Sequence, residues 1–295
     1  MHIGLVGLGK MGNNMRTRLE QKGVEVTGYD TNPDLSDVGS IAELAAALPA
    51  PRTVWVMVPA GKITDAVVSD LAEVLEKGDL IIDGGNSRFT EDFKHSEQLA
   101  PQGIDFMDAG VSGGVWGLEN GYGLMVGGSA AQVKRVMPVF DALRPEGPRA
   151  EGFVHVGEVG AGHYAKMVHN GIEYALMQAF AEGYELLDTR KDIVKDVTGT
   201  FKAWQRGTVV RSWLLELLVR ALEQDPEFEH IEGYVDDSGE GRWTIEEALE
   251  HAVPVPTISA SIFARFVSRQ TDSPAMKAVA ALRNQFGGHA VKAVD

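Results

Sequence analysis

The chain has 295 residues, 44% of them hydrophobic and none of them cysteine, with 27 Lys and Arg against 42 Asp and Glu for a formal charge of −15. That length suggests two domains, each able to bury a core without staples, and the lack of cysteine excludes disulfides, thiolate metal sites and a cysteine nucleophile. An acidic chain without clustered Lys and Arg is a poor nucleic-acid binder, which leaves a small-molecule enzyme or a protein-binding module.

The apolar start Ile3–Val6 is cut short by Gly7, Gly9 and Lys10. It lacks the basic start and longer apolar run of a secretory signal, and no stretch approaches the length of a membrane span. Residue 1 is therefore expected to open the folded domain, with a cytoplasmic location as the default and no membrane partner.

Short β-rich runs are expected at Ile3–Val6, Val24–Tyr29, Thr53–Val58, Leu80–Ile82, Asp105–Asp108 and Leu124–Val126. Helical segments separate them, at Asn13–Gln21, Ser40–Leu48, Ile63–Leu75 and Ala130–Leu143. Strands alternating with helices predict βαβ units and a parallel sheet covered on both faces. Beyond about Gly160 the pattern becomes helical: Ala161–Asp188, Lys191–Gly199, Val209–Gln224, Thr244–Ala252 and Ser259–Arg269, with Asp225–Gly241 as an exposed loop. The expected architecture is an α/β Rossmann-type N-terminal domain, residues 1–160, followed by an all-α C-terminal domain, residues 161–295.

Gly7-Leu8-Gly9-Lys10-Met11-Gly12 is a G-x-G-x-x-G between an apolar strand and a helix, with Asp30 about twenty residues on. In a dinucleotide site Gly7 permits the tight turn, Gly9 lets the pyrophosphate approach the backbone, and Gly12 lets helix and strand pack closely. The helix N-terminus supplies free N–H groups for the phosphates. A carboxylate at Asp30 would accept hydrogen bonds from the adenine ribose and repel a 2′-phosphate. No Arg occurs in Asp30-Thr31-Asn32-Pro33, so NAD is expected over NADP.

In the helix of residues 160–187, Lys166, His169, Asn170, Glu173 and Tyr174 fall at i, i+3, i+4, i+7 and i+8, on one face. Ala165, Met167, Val168, Ile172, Ala175, Leu176 and Ala179 cover most of the rest, so the helix is expected to be buried, with the polar stripe lining a cleft. A Lys there offers a general base once neutral, and Glu173 offers a carboxylic acid two turns on. Two glycine-rich loops after apolar strands, Asp83-Gly84-Gly85-Asn86-Ser87 and Asp108-Ala109-Gly110-Val111-Ser112-Gly113-Gly114, are expected at the carboxyl ends of the sheet where ligands bind. No cluster has metal-ligand spacing, and no metal is expected.

Together these motifs resemble the 6-phosphogluconate dehydrogenases of the β-hydroxyacid dehydrogenase superfamily, in their short, NAD-preferring form. The resemblance rests on GLGKMG at 7–12, MVPAG at 57–61, DGGNS at 83–87, DAGVSGGVWGLENGYGLMVGG at 108–128, KMVHNGIEY at 166–174, GEGRWT at 239–244, FARF at 263–266 and RNQFGGH at 283–289. It implies oxidative decarboxylation of 6-phosphogluconate to ribulose 5-phosphate and CO2 with reduction of NAD, a step of the pentose phosphate pathway and of gluconate metabolism. It further implies Lys166 as general base and Glu173 as proton donor. Asn86, Ser112, Gly113, Gly114, His169 and Asn170 would hold the sugar-acid end, and Tyr174, Arg242, Arg265, Arg283 and His289 the phosphate. Cofactor contacts would come from Gly7, Leu8, Gly9, Lys10, Met11, Gly12, Asp30, Thr31, Val58, Pro59, Ala60 and Asn86.

The resemblance also implies a homodimer or homotetramer in which the tail pair, Arg283 and His289, reaches a neighbouring subunit's site. Arg242 stands where longer members carry Lys, which keeps the charge but changes its geometry. The second helical repeat of the long form is absent. Lys166, Arg242, Arg265 and Arg283 would concentrate positive charge locally in an otherwise acidic chain. The alternatives are a 3-hydroxyisobutyrate-type dehydrogenase, which would need neither Glu173 nor a phosphate pocket, and a catalytically inactive NAD-binding sensor, which would be expected to lose Lys166 and Glu173.

Overall fold

A computed structural model describes residues 1–292, so that 293–295, the end of the expected second domain, lie outside the described residues. The chain divides into two compact units, one spanning Met1–His169 and the other starting at Asn170.

The first unit is built on seven strands: β1 (His2–Val6), β2 (Glu25–Tyr29), β3 (Thr53–Val56), β4 (Leu80–Asp83), β5 (Asp105–Ser112), β6 (Gly123–Gly127) and β7 (Phe153–Gly157). They form one sheet in the order β2-β1-β3-β4-β5-β6-β7. The helices between them are α1 (Lys10–Gln21), α2 (Ile41–Ala47), α3 (Lys62–Val74), α4 (Phe89–Leu99), the short α5 (Gly117–Asn120) and α6 (Ala130–Leu143). Side chains alternate between the two faces. Ile3, Leu5, Trp55, Leu80 and Ile82 join one buried cluster, and Val6, Val54, Val56 and Ile81 join the other. A sheet buried on both sides accounts for the near-continuous apolar runs.

The structure departs from an all-parallel sheet at one place. β5 and β6 pair antiparallel, with Ser112 opposite Gly123. The connection of residues 113–122 is too short for the crossover of a dozen or more residues that a parallel pair requires. The sequence pattern does not predict four elements: β7, α4, the short α5 and, in the second unit, α12 (Pro274–Gly287). β7 carries exposed Val154, His155 and Val156 on the sheet edge, so it lacks the apolar run by which buried strands are read. α4 places few apolar residues on its buried side, which instead includes Asp92 and His95.

One long helix, α7 (Ala161–Thr189), runs through the unit boundary and measures about 43 Å at 1.5 Å per residue. The second unit continues with α8 (Val197–Trp204), α9 (Trp213–Gln224), α10 (Glu240–Glu250), α11 (Pro256–Ser268) and α12 (Pro274–Gly287). Helical starts follow the caps rather than the composition. Asp196 accepts from the Gly199 amide at 2.6 Å and begins α8 later than the expected Lys191. Ser212 accepts from Leu215 and begins α9 after 209–212; such caps satisfy amides that have no intrahelical partner. Phe201, Leu215, Val219 and Leu222 form the small core of this unit, with Phe180, Tyr184 and Trp204 packed against it. Close approach of α10 to α7 needs Gly171, where a Cβ would lie 2.9 Å from Thr244 Cγ2.

Candidate functional site

The turn from β1 into α1 separates the three glycines of the first motif by role. Gly7 has φ +93°, and a Cβ there would lie 2.4 Å from the Met57 carbonyl oxygen; the turn requires glycine. At Gly12 a Cβ would lie 1.9 Å from the Gly7 oxygen, so helix and strand could not approach as they do. At Gly9 nothing among the described residues lies within 4 Å of an added Cβ. Gly9 is also the N-cap of α1 and caps it with no side chain, so the first-turn amides face outward with partial positive charge.

Asp30, directly after β2, accepts from the Leu8 amide at 2.7 Å and the Asn32 amide at 2.8 Å, one on each carboxylate oxygen. A carboxylate has about four acceptor positions, so capacity remains for ribose hydroxyls. The chain crosses from β2 on one side of β1 to β3 on the other, which makes the β1–β3 crevice the switch point where ligands bind in such sheets. Val58 lines it half-buried, while Pro59, Ala60, Lys10 and Thr31 are exposed and Leu8 and Met11 turn inward. An open backbone at Gly9, an uncapped helix start and a preset carboxylate fit a dinucleotide.

The two glycine loops prove to be anchored structures. Asp83 at the end of β4 accepts from the Gly85 amide and the Ser87 hydroxyl at 2.9 and 2.7 Å. Gly84 is dictated by packing, since its Cβ would lie 2.3 Å from Trp55 Nε1. This turn holds Asn86 half-buried at the sheet's carboxyl edge. In the second loop Asp108 accepts from the Gly160 and His163 amides at 2.6 and 2.7 Å, which ties β5 to the first turn of α7. A Cβ on Gly110 would lie 2.5 Å from Lys166 Cβ, so α7 sits against the strand backbone at the lysine. Ser112 and His169 approach at 3.4 Å between Oγ and Nε2. Gly113, with φ +133°, turns the chain away and leaves Gly114 exposed.

On α7 the expected stripe is the buried face. Lys166 and Asn170 are each 7% exposed and Tyr174 8%, with His169 and Glu173 half-buried. The expectation that the apolar residues around the stripe are buried holds for Met167, at 2% exposed, but fails for Ile172 and Leu176, which are 51% and 45% exposed. The helix is amphipathic in reverse over this stretch, polar side in and part of the apolar side out. A globular helix arranged for packing alone does the opposite.

In the second unit a cationic cluster forms around Tyr174. The Arg265 guanidinium stacks 3.6 Å from the centre of the Tyr174 ring and donates to the Asp236 carbonyl at 2.8 Å. The Tyr174 hydroxyl lies 3.0 Å from the Ser238 hydroxyl. Arg242 forms a two-pronged pair with Asp237 at 2.9 and 2.8 Å, and Arg269 donates to the same carboxylate at 2.7 Å. Hydrogen bonds from Arg242 foremost, then from Arg269, outweigh desolvation and hold the Asp237 carboxyl down to about 2. The loop of residues 225–241 therefore is not merely exposed, because its Asp237 side chain is fully covered. Arg283 and His289 lie on exposed positions of α12 and just beyond it.

Asp237, Ser238, Arg269, Asp92 and His163 are functional-site neighbours that the sequence pattern does not single out. The sequence does carry one signal for His163: it lies three residues before Lys166 and extends the polar stripe by one turn. Asp237-Ser238-Gly239 before a helix reads as a turn, and Asp237 does accept from the Gly239 amide at 3.0 Å, but nothing local shows that two arginines converge on it.

Residues 2–146 match the model for the NAD binding domain of 6-phosphogluconate dehydrogenase, and residues 162–295 that for the C-terminal domain of 6-phosphogluconate dehydrogenase. The chain is 41% identical to an NAD(+)-dependent, decarboxylating 6-phosphogluconate dehydrogenase from Haloferax volcanii, over the whole of both chains. It is similar to the solved 6-phosphogluconate dehydrogenase of Plasmodium falciparum, with a TM-score of 0.77 and 28% identity, covering all of this chain and 66% of that one. Mycobacterium tuberculosis 3-hydroxyisobutyrate dehydrogenase shares the fold, with a TM-score of 0.71 and 22% identity over 96% of this chain and 99% of that one.

Proposed function

The chain belongs to the 6-phosphogluconate dehydrogenase family, and from that premise we propose that it oxidatively decarboxylates 6-phosphogluconate to ribulose 5-phosphate and CO2 with reduction of NAD. The observation that carries the reading is the seating of buried Lys166 against Gly110, on the strand whose Ser112 meets His169 one turn farther along the same helix.

NAD, when bound, supplies the acceptor for the hydride leaving C3 of the substrate. Gly9, the α1 amides and Asp30 bind and orient that group, and Asp30 selects against an added 2′-phosphate by charge. Lys166, acting as a neutral amine, takes the proton of the 3-hydroxyl as the C3 carbonyl forms. The carboxylate then leaves as CO2, and its bonding electrons pass into an enediolate whose oxygen the resulting Lys166 ammonium stabilises. Glu173 delivers a proton to the carbon that becomes C1 of ribulose 5-phosphate. Asn86, Ser112, Gly113, Gly114, His169 and Asn170 hold the sugar-acid end.

Tyr174, Arg242 and Arg265 take the phosphate, joined by Arg283 and His289 from a second copy. The exposed apolar residues Ile172 and Leu176 of α7 and Phe263 and Val267 of α11 are what that copy would cover, in a chain that spans 66% of the length of its Plasmodium relative. The phosphate cluster favours this substrate over a hydroxyisobutyrate, which has no phosphate to bind.

The test follows nicotinamide reduction and CO2 release with 6-phosphogluconate and with gluconate, each with NAD and with NADP. Turnover is expected with 6-phosphogluconate and NAD; activity only with gluconate, or with neither, would overturn the reading. Lys166→Met is expected to abolish turnover with NAD binding intact, and an unimpaired Glu173→Gln would remove Glu173 as proton donor.

A further inference from the structure

Beneath the two glycine loops lies a buried ionic cluster to which the mechanism above gives no part. Asp83, Asp92 and Asp108 are fully buried and His163 is 1% exposed. Single oxygens of Asp83 and Asp92 and a ring nitrogen of His163 lie within 4.8 Å of one another. Asp83 and Asp108 are met by backbone amides and the Ser87 hydroxyl, as described. Asp92, from α4, instead faces the imidazole: its two oxygens lie 2.8 and 3.0 Å from His163 Nδ1.

Burial alone would strip both charges. For Asp92 it dominates and pushes the carboxyl up to about 7, with Asp108 and Asp83 adding to the rise against the pull of His163. For His163 burial works against the imidazolium, but the charge and hydrogen bond of Asp92, helped by Asp83 and Asp108, outweigh it and hold the ring protonated. The direction that the geometry supports is an ion pair, because one cation sits among three carboxylates.

The elements joined here are the ones that carry the candidate site. Asp83 opens the turn bearing Asn86, Asp108 lies on the strand ending at Ser112, and His163 stands one turn before Lys166 on α7. Steric fit leaves the junction little play: a Cβ on Gly162 would lie 2.5 Å from the Met125 oxygen and 2.8 Å from Asp108 Oδ2, and one on Gly127 would lie 2.3 Å from Asp108 Oδ1. We propose that the Asp92–His163 ion pair is a positioning device that fixes the first turn of α7, and with it Lys166, against the loops carrying Asn86 and Ser112. The pair acts through Lys166 and touches no substrate, and the inference rests on the reading of Lys166 as the base.

The test compares wild type with Asp92→Asn, His163→Gln and the double variant, measuring kcat, KM for 6-phosphogluconate, NAD affinity, folded fraction and the deuterium isotope effect on kcat with substrate labelled at C3. Misplacing the base slows the oxidation step. The single variants are expected to lose about ten- to a hundredfold in kcat, with KM and NAD affinity within about threefold of wild type and a larger isotope effect. The double variant, neutral and still able to hydrogen-bond, guards against failure of a single variant to fold; it is expected to retain the kcat loss. Variants with kcat near wild type, or a loss that tracks the folded fraction with an unchanged isotope effect, would overturn the proposal while leaving the functional reading intact. An inactive wild type would instead overturn that reading, and this inference with it.

Discussion

Replacing Gly110 with alanine tests most directly whether the seat of Lys166 sets the chemistry. The added methyl carbon would lie 2.5 Å from Lys166 Cβ and 2.8 Å from the Gly162 carbonyl oxygen. Ordinary contact begins at 3.4 Å, so the helix must retreat by about 0.9 Å, because neither a Cβ nor a backbone oxygen can swing aside. Overpacking of this kind costs about 1–3 kcal/mol, which lowers Tm by roughly 2–12 °C for a unit of this size. The same retreat carries the Lys166 amine with it, and a misplacement of about 1 Å is worth on the order of a hundredfold in rate.

The assay is steady-state reduction of NAD by 6-phosphogluconate well below the variant's Tm, alongside NAD titration. Gly123→Ala in the neighbouring strand is the control, since its Cβ would meet Ser112 Cβ at an ordinary 3.9 Å. The expected result is a large fall in kcat for Gly110→Ala, NAD affinity unchanged, and a near-normal Gly123→Ala. A Gly110→Ala enzyme within about threefold of wild type would refute the claim that this contact positions the base.

Gly9→Ala is expected to leave Tm within a degree or two and weaken NAD binding at least about tenfold, because the methyl enters open space that the pyrophosphate needs; calorimetric titration checks it. Asp237, held down to about 2, binds fewer protons when folded than when unfolded. It therefore contributes stability above about pH 4 that is lost as pH falls towards 2; Asp237→Asn should flatten Tm against pH across that window. Charging the outward face of α7 with Ile172→Glu and Leu176→Glu is expected to lower the oligomeric state seen by light scattering, without unfolding the protein. Phe201→Ala, which empties the centre of the small helical core, should destabilise by about 3–5 kcal/mol in denaturant titration.

Features that repeat locally are legible in the chain alone. Apolar runs broken by glycine marked six of the seven strands, and the glycine spacing at 7–12 already assigned a separate role to each glycine. Periodicity placed Lys166, Asn170 and Tyr174 on one helical face. Strand, turn and helical face are legible in this way because backbone conformation and side-chain direction along one element follow from neighbours in the chain.

Other features rest on residues that are far apart in sequence and meet only in the folded chain. β6 reverses because pairing with it carries β5 on to Ser112, which leaves residues 113–122 too few to cross over. Whether the polar or the apolar side of α7 faces inward depended on Gly110 and on α10, neither of which the helix's own pattern contains. Asp237 reads as one more acidic residue in an acidic loop until Arg242 and Arg269 converge on it, and Asp92 reads as a surface charge on α4 until His163, 71 residues away, closes on it. Charge burial is a property of the partners that fold over a group, and the chain's net −15 carries no trace of where they meet.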